Sequence, residues 1–192
     1  MTDPETEREA LAWETRDSAV DYRCPGFDVV RDEVVLPDGT ETEFHYLHEP
    51  PSVVVLPFTP GGEVVVIEEW RQAVRRVNRG LPAGGTEPGD DDLAAAARRE
   101  LREETGYEAA TVEHRSTHEA ANGATDITYH YFVARGCTPT AEQELDHNES
   151  IRVETVGFDE LRAAAVAGDL RDGRSALGVL EYVVDEQSER NP

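Results

Sequence analysis

The sequence predicts an α/β protein in which helices cover both faces of a mixed β-sheet. Apolar segments of strand length alternate with helix-forming segments through most of the 192 residues, and this order is typical of such a fold. Two further strand-like segments precede them and are joined by a turn, which predicts a small antiparallel hairpin region. A chain of this length can bury one sizeable core and carry a small appendage.

The N-terminal part of the chain is predicted to be an arm followed by a β-hairpin. Residues 1–25 are polar and show no clear periodicity. The two strands of the hairpin are predicted at residues 27–36 and 43–47. Residues 37–40 (Pro-Asp-Gly-Thr) lie between them and favour a turn. We therefore assign residues 1–50 to an arm and hairpin region, and residues 51–192 to a main domain.

The main domain is predicted to contain eight elements. The predicted strands are residues 52–58, 63–68, 110–117, 127–134 and 150–156. The predicted helices are residues 93–106, 158–167 and 175–186. The acidic segment 138–148 is predicted to be a loop, and Trp70 is expected in the core. Strands before, around and between helices predict a sheet that is covered on both faces.

The charge of the chain excludes some classes of partner. Asp and Glu number 41 against 18 basic residues, all of them Arg, and the formal net charge is −23. Such a surface repels nucleic acid and anionic membranes, and it resembles that of proteins from a high-salt cytoplasm. The sequence contains no run of about 18 apolar residues, so no membrane span is predicted. Cys24 and Cys137 give no disulfide framework, which fits a reducing cytoplasm. Together with the charge, this predicts a halophilic cytoplasmic protein.

Three glutamates share one face of the predicted helix. Glu100, Glu103 and Glu104 stand at positions i, i+3 and i+4, and Arg99 lies four residues before Glu103. In so acidic a chain, this pattern alone also fits a solvated face laced with salt bridges. Without such salt bridges, clustered carboxylates repel one another unless a cation neutralises them. Mg²⁺ prefers carboxylate oxygens as ligands and also binds the phosphates of a substrate. Gly106 can end the helix in a left-handed conformation.

The stretch around this helix resembles the Nudix box, G-x5-E-x7-R-E-U-x-E-E-x-G-U, where U is a bulky apolar residue. The matching residues are Gly85, Asp91, Arg99, Glu100, Leu101, Glu103, Glu104, Gly106 and Tyr107. Asp91 replaces the first glutamate of the pattern. A second registration starts at Gly84 and places Asp90 there instead, with one extra residue before Arg99, and the sequence leaves this choice open. The resemblance implies a Nudix-type α/β/α sandwich.

Segments outside the box resemble the ADP-ribose pyrophosphatase branch of that family. They are Leu-Pro-Ala-Gly at 81–84, Glu-Trp-Arg at 69–71 where Q-Y-R is frequent, and residues 168–177, which resemble G-E-I-x-D-x-x-T-x-x-x-L. The chain departs from the branch at Gly80, where a glutamate is usual, at residues 122–123, where a proline is usual, and at Ile127. These departures concern the substrate pocket more than the metal site.

The resemblance assigns roles to individual residues. The implied metal ligands, for Mg²⁺ with Mn²⁺ as an alternative, are the carbonyl of Ala83 and the carboxylates of Glu100, Glu103 and Glu104. Glu103 and Glu104 are also counted as catalytic. The other implied roles are substrate binding for Arg71 and Gly84, and support of the motif for Gly85, Asp91, Arg99 and Gly106. The general base would be Glu149 from a loop, with Glu144 and Glu119 as rivals.

The resemblance implies hydrolysis of a nucleoside diphosphate linked to another group, X. The expected substrate is ADP-ribose, which gives AMP and ribose 5-phosphate. The alternatives are another nucleotide sugar, an oxidised nucleotide, or a module that senses nucleotides without turnover. The branch dimerises through its N-terminal sheet, so we expect a homodimer.

Overall fold

A computed structural model describes residues 9–190 of the chain, whose side chains are described to residue 188. The outer ends of the predicted arm and main domain, residues 1–8 and 191–192, lie outside the described residues. The chain divides into two units. Among the described residues, one unit contains residues 9–50 together with the segment 119–127, and the other contains the rest.

The first unit is built on a three-stranded antiparallel sheet in the order β1-β2-β3. Its strands are β1 (Glu14–Arg23), β2 (Asp28–Val35) and β3 (Glu41–His48). The predicted hairpin corresponds to β2 and β3. The prediction missed β1, because nearly all its side chains are exposed and its sequence therefore lacks the alternation that marks a half-buried strand. Asp126 joins the segment 119–127 to β3, since its carboxylate lies 2.6 Å from Nδ1 of His48.

Nine strands lie in the described part of the second unit. They are β4 (Ser52–Phe58), β5 (Glu63–Arg71), β6 (Arg76–Gly80), β7 (Ala83–Gly85), β8 (Tyr107–Glu108), β9 (Thr111–His118), β10 (Tyr129–Arg135), β11 (Thr138–Pro139) and β12 (Ile151–Gly157). The main sheet has the order β12-β5-β4-β10-β9, with β6 paired to β5 and β7 paired to β4. Because β4 and β10 are parallel and the other pairs antiparallel, the mixed sheet that the sequence predicted is confirmed.

Within residues 9–190, three helices cover this sheet: α1 (Leu93–Thr105), α2 (Phe158–Ala167) and α3 (Gly173–Arg190). Alternate residues of β4 point to opposite faces. Val53 and Val55 pack with Leu101 of α1, whereas Val54 and Leu56 pack in the core that α2 and α3 cover. Both clusters are buried, which confirms the predicted sandwich of helices on both faces of the sheet.

Some details of the second unit differ from the prediction. Trp70 is not in the core: it is 47% exposed, and its indole N–H donates to Gln72. The short strands β6, β7, β8 and β11 were missed. In β7 the reason is clear, because its sequence Ala-Gly-Gly has no apolar pattern and is held by backbone pairing to β4. No helix within residues 9–190 is long and apolar enough to cross a membrane.

Candidate active site

Helix α1 begins and ends as its sequence predicts. The carboxylate of Asp92 caps the N-terminus by accepting a hydrogen bond from the N–H of Ala95 at 2.8 Å. Gly106 has a φ of 73°, and its N–H donates to the carbonyl of Arg102 at 2.7 Å. These two caps fix the register of the three glutamates on the helix surface.

Arg99 links the helix to the loop before it. Its guanidinium donates to both oxygens of Asp90, at 3.1 and 3.0 Å, and to the carbonyl of Gly85 at 2.8 Å. It also donates to Glu100 at 2.8 Å and to Glu103 at 3.0 Å. Arg99 thus supports the motif and neutralises part of the charge of the helix face.

The structure distinguishes the two aspartates that the sequence left open. Hydrogen bonds from Arg99 lower the pKa of Asp90, whose side chain is mostly buried. Asp91, to which the registration from Gly85 gives this role, is exposed. The ion pair therefore follows the registration that starts at Gly84.

Glu104 and Glu100 are buried acids. Glu104 is 3% exposed, and its carboxylate accepts a hydrogen bond from the N–H of Ala83 at 2.9 Å. Burial raises its pKa well above the usual value, against the effect of that hydrogen bond. Burial likewise raises the pKa of Glu100 to about 7, although Arg99 opposes the shift. Both carboxylates therefore lie where a further positive charge would be stabilised.

The backbone of Ala83 faces these acids. The N–H of Val55 on β4 donates to the carbonyl of Pro82. Because hydrogen-bonded and non-hydrogen-bonded positions alternate in an antiparallel pair, the N–H and C=O of Ala83 point away from β4. The N–H reaches Glu104, and the carbonyl lies on that same side of the strand.

Gly84 leaves room for Glu100. A Cβ at Gly84 would lie 2.2 Å from Cδ and Oε1 of Glu100, which is far inside van der Waals contact. The segment 84–87, one face of α1 and the segment 144–149 together line a cleft. Gly84, Glu100, Glu103 and Glu104 thus all line one cleft.

The oxygen atoms at this cleft fit a hard cation such as Mg²⁺. The fit rests on the buried carboxylate of Glu104, the raised pKa of Glu100 and the space that Gly84 leaves. Within residues 9–190, no three His, Cys, Asp or Glu side chains are grouped as metal ligands. Glu100 and Glu103 are instead turned to Arg99, and Glu104 to Ala83.

The candidates for a general base have different surroundings. Glu144 lines the cleft but is paired with Arg102 at 2.7 Å. Glu149 also lines the cleft, and its carboxylate accepts a hydrogen bond from the N–H of Asp146 at 2.9 Å. Glu119 belongs to the other unit of the chain. The segment 144–149 thus brings two of the three candidates to the carboxylates of α1.

Arg71 lies at a second, smaller crevice. This crevice is lined by residues of β5 and β6 and by Asp172. Arg71 forms an ion pair with Glu69 at 2.7 Å. Sequence reasoning did not single out Glu69, although it follows Ile67 by two residues and so continues the buried face of an apolar strand.

The C-terminal motif is an anchor for the segment before the box. Ser175 accepts a hydrogen bond from the N–H of Leu81 at 2.7 Å, and its hydroxyl donates to Asp172 at 2.5 Å. Asp172 also accepts from Arg174 at 3.4 Å. The start of α3 therefore fixes the chain two residues before Ala83.

Comparisons with known proteins agree with this geometry. The model of the NUDIX domain matches residues 48–174. An ADP-ribose pyrophosphatase of Bacillus subtilis (strain 168) is 28% identical over 153 residues, which are 79% of this chain and 82% of that protein. A methanol dehydrogenase activator of Bacillus methanolicus is also 28% identical, over 149 residues that cover 77% of this chain and 80% of that protein.

A crystal structure of an ADP compounds hydrolase has the same fold. It matches with a TM-score of 0.78 at 17% sequence identity, over 93% of this chain and 96% of that one. The matched NUDIX segment spans more than half of the chain and contains the cleft described above. The chain therefore belongs to the Nudix family, as a hydrolase that resembles the ADP-ribose pyrophosphatases.

Proposed function

We propose that this protein hydrolyses the pyrophosphate bond of a nucleoside diphosphate linked to another group, with ADP-ribose as the substrate and AMP and ribose 5-phosphate as products. One observation carries the proposal: the buried glutamates of α1 face the acidic segment 144–149 across a cleft. The similarity to the Bacillus subtilis ADP-ribose pyrophosphatase supports the choice of substrate.

The metal site of the proposal is formed by oxygen atoms. The carbonyl of Ala83 and the carboxylates of Glu100, Glu103 and Glu104 would hold Mg²⁺ or Mn²⁺. Bound there, the metal would neutralise the charge of the pyrophosphate and of the attacking and leaving oxygens. Gly84 would let the phosphates approach the backbone, since it presents no side chain to the cleft.

The general base of the proposal is Glu149. Its rival Glu144 is held by a guanidinium, whereas within the described residues Glu149 forms no ion pair with an arginine. Glu149 can therefore take the proton of the attacking water at the cleft wall opposite α1. Arg71 would bind a phosphate of the substrate.

We also propose a cytoplasmic homodimer that assembles through the first unit. That unit exposes large apolar side chains, among them Trp13 just before β1 and Phe44 on β3, whose rings lie 5.7 Å apart. Neighbouring exposed aromatic residues are typical of interfaces. The oligomeric state can be measured by sedimentation in high salt, and a monomer at all concentrations would contradict this part of the proposal.

The test of the function is a product assay. Purified protein in high salt with Mg²⁺ would be given ADP-ribose, nucleotide sugars, dinucleotides and oxidised dGTP. We expect ADP-ribose among the best substrates, with AMP and ribose 5-phosphate as products. Chelation of the metal should stop the reaction. If ADP-ribose is among the poorest substrates, the assignment to this branch fails, although hydrolysis of another compound would keep the reaction class.

A further inference from the structure

Glu69 is a buried acid beside the proposed phosphate-binding arginine. It lies on β5, opposite Asn78 of β6 and Ile151 of β12, and is 7% exposed. Its Oε2 lies 2.7 Å from the guanidinium of Arg71 and forms no well-aligned hydrogen bond within the described residues. A carboxylate buried in this way is costly unless a cation stays next to it. Its burial therefore favours a fixed position of Arg71.

Residues at the start of α3 leave little room for a side chain at position 80. A Cβ at Gly80 would lie 3.0 Å from Oγ of Ser175 and 3.3 Å from Oδ2 of Asp172. The helix start thus takes the space that a side chain at position 80 would need. Gly80 of β6 is paired with Ile67 of β5, and Glu69 lies two residues after Ile67 on the same face. Glu69 therefore brings a carboxylate to this face from β5.

Other arginines of this region are already engaged. Arg79 lines the crevice and donates to Glu160 at 3.0 Å. Arg174 pairs with Asp172 at 3.4 Å and lies over the ring of Tyr129, with 5.8 Å between its guanidinium carbon and the ring centroid. Arg71 is the arginine that contacts Glu69, and 38% of its side chain is exposed. One side of its guanidinium is therefore anchored while the other remains available to a ligand.

We propose that Glu69 is a positioning residue, which holds the guanidinium of Arg71 in the orientation that binds the substrate. The proposal rests on the hydrolysis proposed above, and it deepens that function by assigning a residue that acts through Arg71. A long side chain that is fixed before binding loses less conformational entropy when the ligand arrives. The expected signature is therefore weaker substrate binding with nearly unchanged turnover.

A double-mutant cycle tests the coupling. Glu69→Gln, Arg71→Ala and the double variant would be compared with wild type for kcat and KM on ADP-ribose, or on the best substrate of the panel. We expect Glu69→Gln to raise KM about tenfold and to change kcat less than about threefold. In the Arg71→Ala background the same change should alter kcat/KM by less than about twofold. If the effects of the two single substitutions on kcat/KM multiply in the double variant, the proposal is wrong.

Two further variants separate positioning from folding. Glu68→Gln changes the neighbouring acid on the opposite face of β5, which pairs with Arg152, and should leave KM at the wild-type value. Glu69→Asp keeps the charge but shortens the side chain, so KM should rise here too. If Glu69→Asp folds like wild type, as judged by its melting temperature, and keeps the wild-type KM, the proposal fails.

Calorimetric binding of ADP-ribose without metal distinguishes this proposal from the proposed function. If the wild type binds ADP-ribose in this experiment but does not hydrolyse it with Mg²⁺ in the product assay, the proposed hydrolysis fails, while the same cycle, read in Kd, still decides the role of Glu69. If the wild type hydrolyses ADP-ribose and Glu69→Gln matches it in both KM and Kd, the positioning role fails and the proposed function stands.

Discussion

Asp90 and Asp91 are adjacent acids with different surroundings. Asp90 accepts two hydrogen bonds from Arg99, whereas Asp91 is exposed. We expect Asp90→Asn to lower the free energy of unfolding by about 2 kcal/mol, because it weakens charge-assisted hydrogen bonds in a mostly buried pair. Asp91→Asn should change it by less than about 0.5 kcal/mol. Urea denaturation measures both, and equal effects would contradict the assignment.

The sequence could not decide between these two residues. Spacing identified the arginine and the glutamates, but the loop before α1 allows a shift of one residue. The shift is decided by a local turn, in which the N–H of Glu87 donates to the carboxylate of Asp90 and the N–H of Asp90 donates to the carbonyl of Glu87. Such a turn depends on the three-dimensional path of the loop, which residue spacing does not record.

Glu104→Gln should separate activity from stability. If the metal site is as proposed, removing this ligand charge should lower kcat by on the order of 10³-fold or more, because the charge of the pyrophosphate is no longer neutralised. Burial raises the pKa of Glu104, so the neutral amide should not lower the melting temperature of metal-free protein. A variant that keeps most of its activity in a steady-state assay would contradict the metal site.

Glu149 and Glu144 provide a matched pair for the general base. Glu149→Gln should lower kcat by about 10²- to 10⁴-fold and leave KM nearly unchanged. Glu144→Gln should have a much smaller effect, because Arg102 already holds that carboxylate. Steady-state kinetics on both variants decide the question. Wild-type turnover by Glu149→Gln would transfer the role to Glu144 or Glu119.

The C-terminal ends of α1 and α2 use glycine in the same conformation but in different surroundings. Gly106 and Gly168 have φ values of 73° and 78°. A Cβ at Gly106 would lie 2.3 Å from the carbonyl oxygen of Ala141, whereas a Cβ at Gly168 would meet nothing within 4 Å. Gly168→Ala should therefore lower the free energy of unfolding by about 1 kcal/mol, which is the ordinary strain of this conformation.

Gly106→Ala should cost more than Gly168→Ala, by roughly 2 kcal/mol or more, because strain and overlap with Ala141 add. Chemical denaturation of the two variants gives the comparison directly. The Gly106 variant should also lose activity, since Thr140 and Ala141 both donate N–H groups to the Gly106 carbonyl at the start of the segment that leads to Glu149. Equal costs for the two substitutions would show that this contact does not matter.

Elements that bury an apolar pattern were predicted correctly from the sequence. Strand β4 is buried along its whole length, and α1 carries both a cap residue and a terminal glycine. Strands β1 and β7 were missed for different reasons, since β1 is exposed and β7 consists of alanine and glycine. Both are held by backbone pairing, which leaves little trace in the side-chain pattern.

The candidate site combines segments that are far apart in the chain. The resemblance of residues 81–84 to the Leu-Pro-Ala-Gly motif, and not spacing alone, led us to expect Ala83 beside the glutamates of α1, and the N–H of Ala83 donates to Glu104. The sequence could not predict that the ion pair between Glu69 and Arg71 matters. The importance of this pair depends on the burial of Glu69, which is one of 41 acidic residues in the chain. Burial of a single charged side chain is a property of the folded molecule.

Stability of the whole molecule should depend on pH, and bound metal should oppose this dependence. The pKa of Glu100 is about 7 in the folded protein, and that of Glu104 is well above its usual value. An unfolded glutamate titrates near about 4.3. Without metal, the folded state therefore holds more protons than the unfolded state above this value. The stability that these two acids contribute is complete below the unfolded pKa and is lost as the pH rises through the folded pKa.

Thermal melts in high salt with a chelator should accordingly show a lower melting temperature at pH 8 than at pH 5.5. Glu104→Gln should reduce this difference, because one of the two titrating acids is then neutral at every pH. Adding Mg²⁺ should raise the melting temperature more at pH 8 than at pH 5.5, since the metal competes with protons for the same oxygens. A Mg²⁺ effect that is the same at both pH values would show that the metal binds elsewhere, and the proposed ligands would then be wrong even if the protein hydrolyses ADP-ribose.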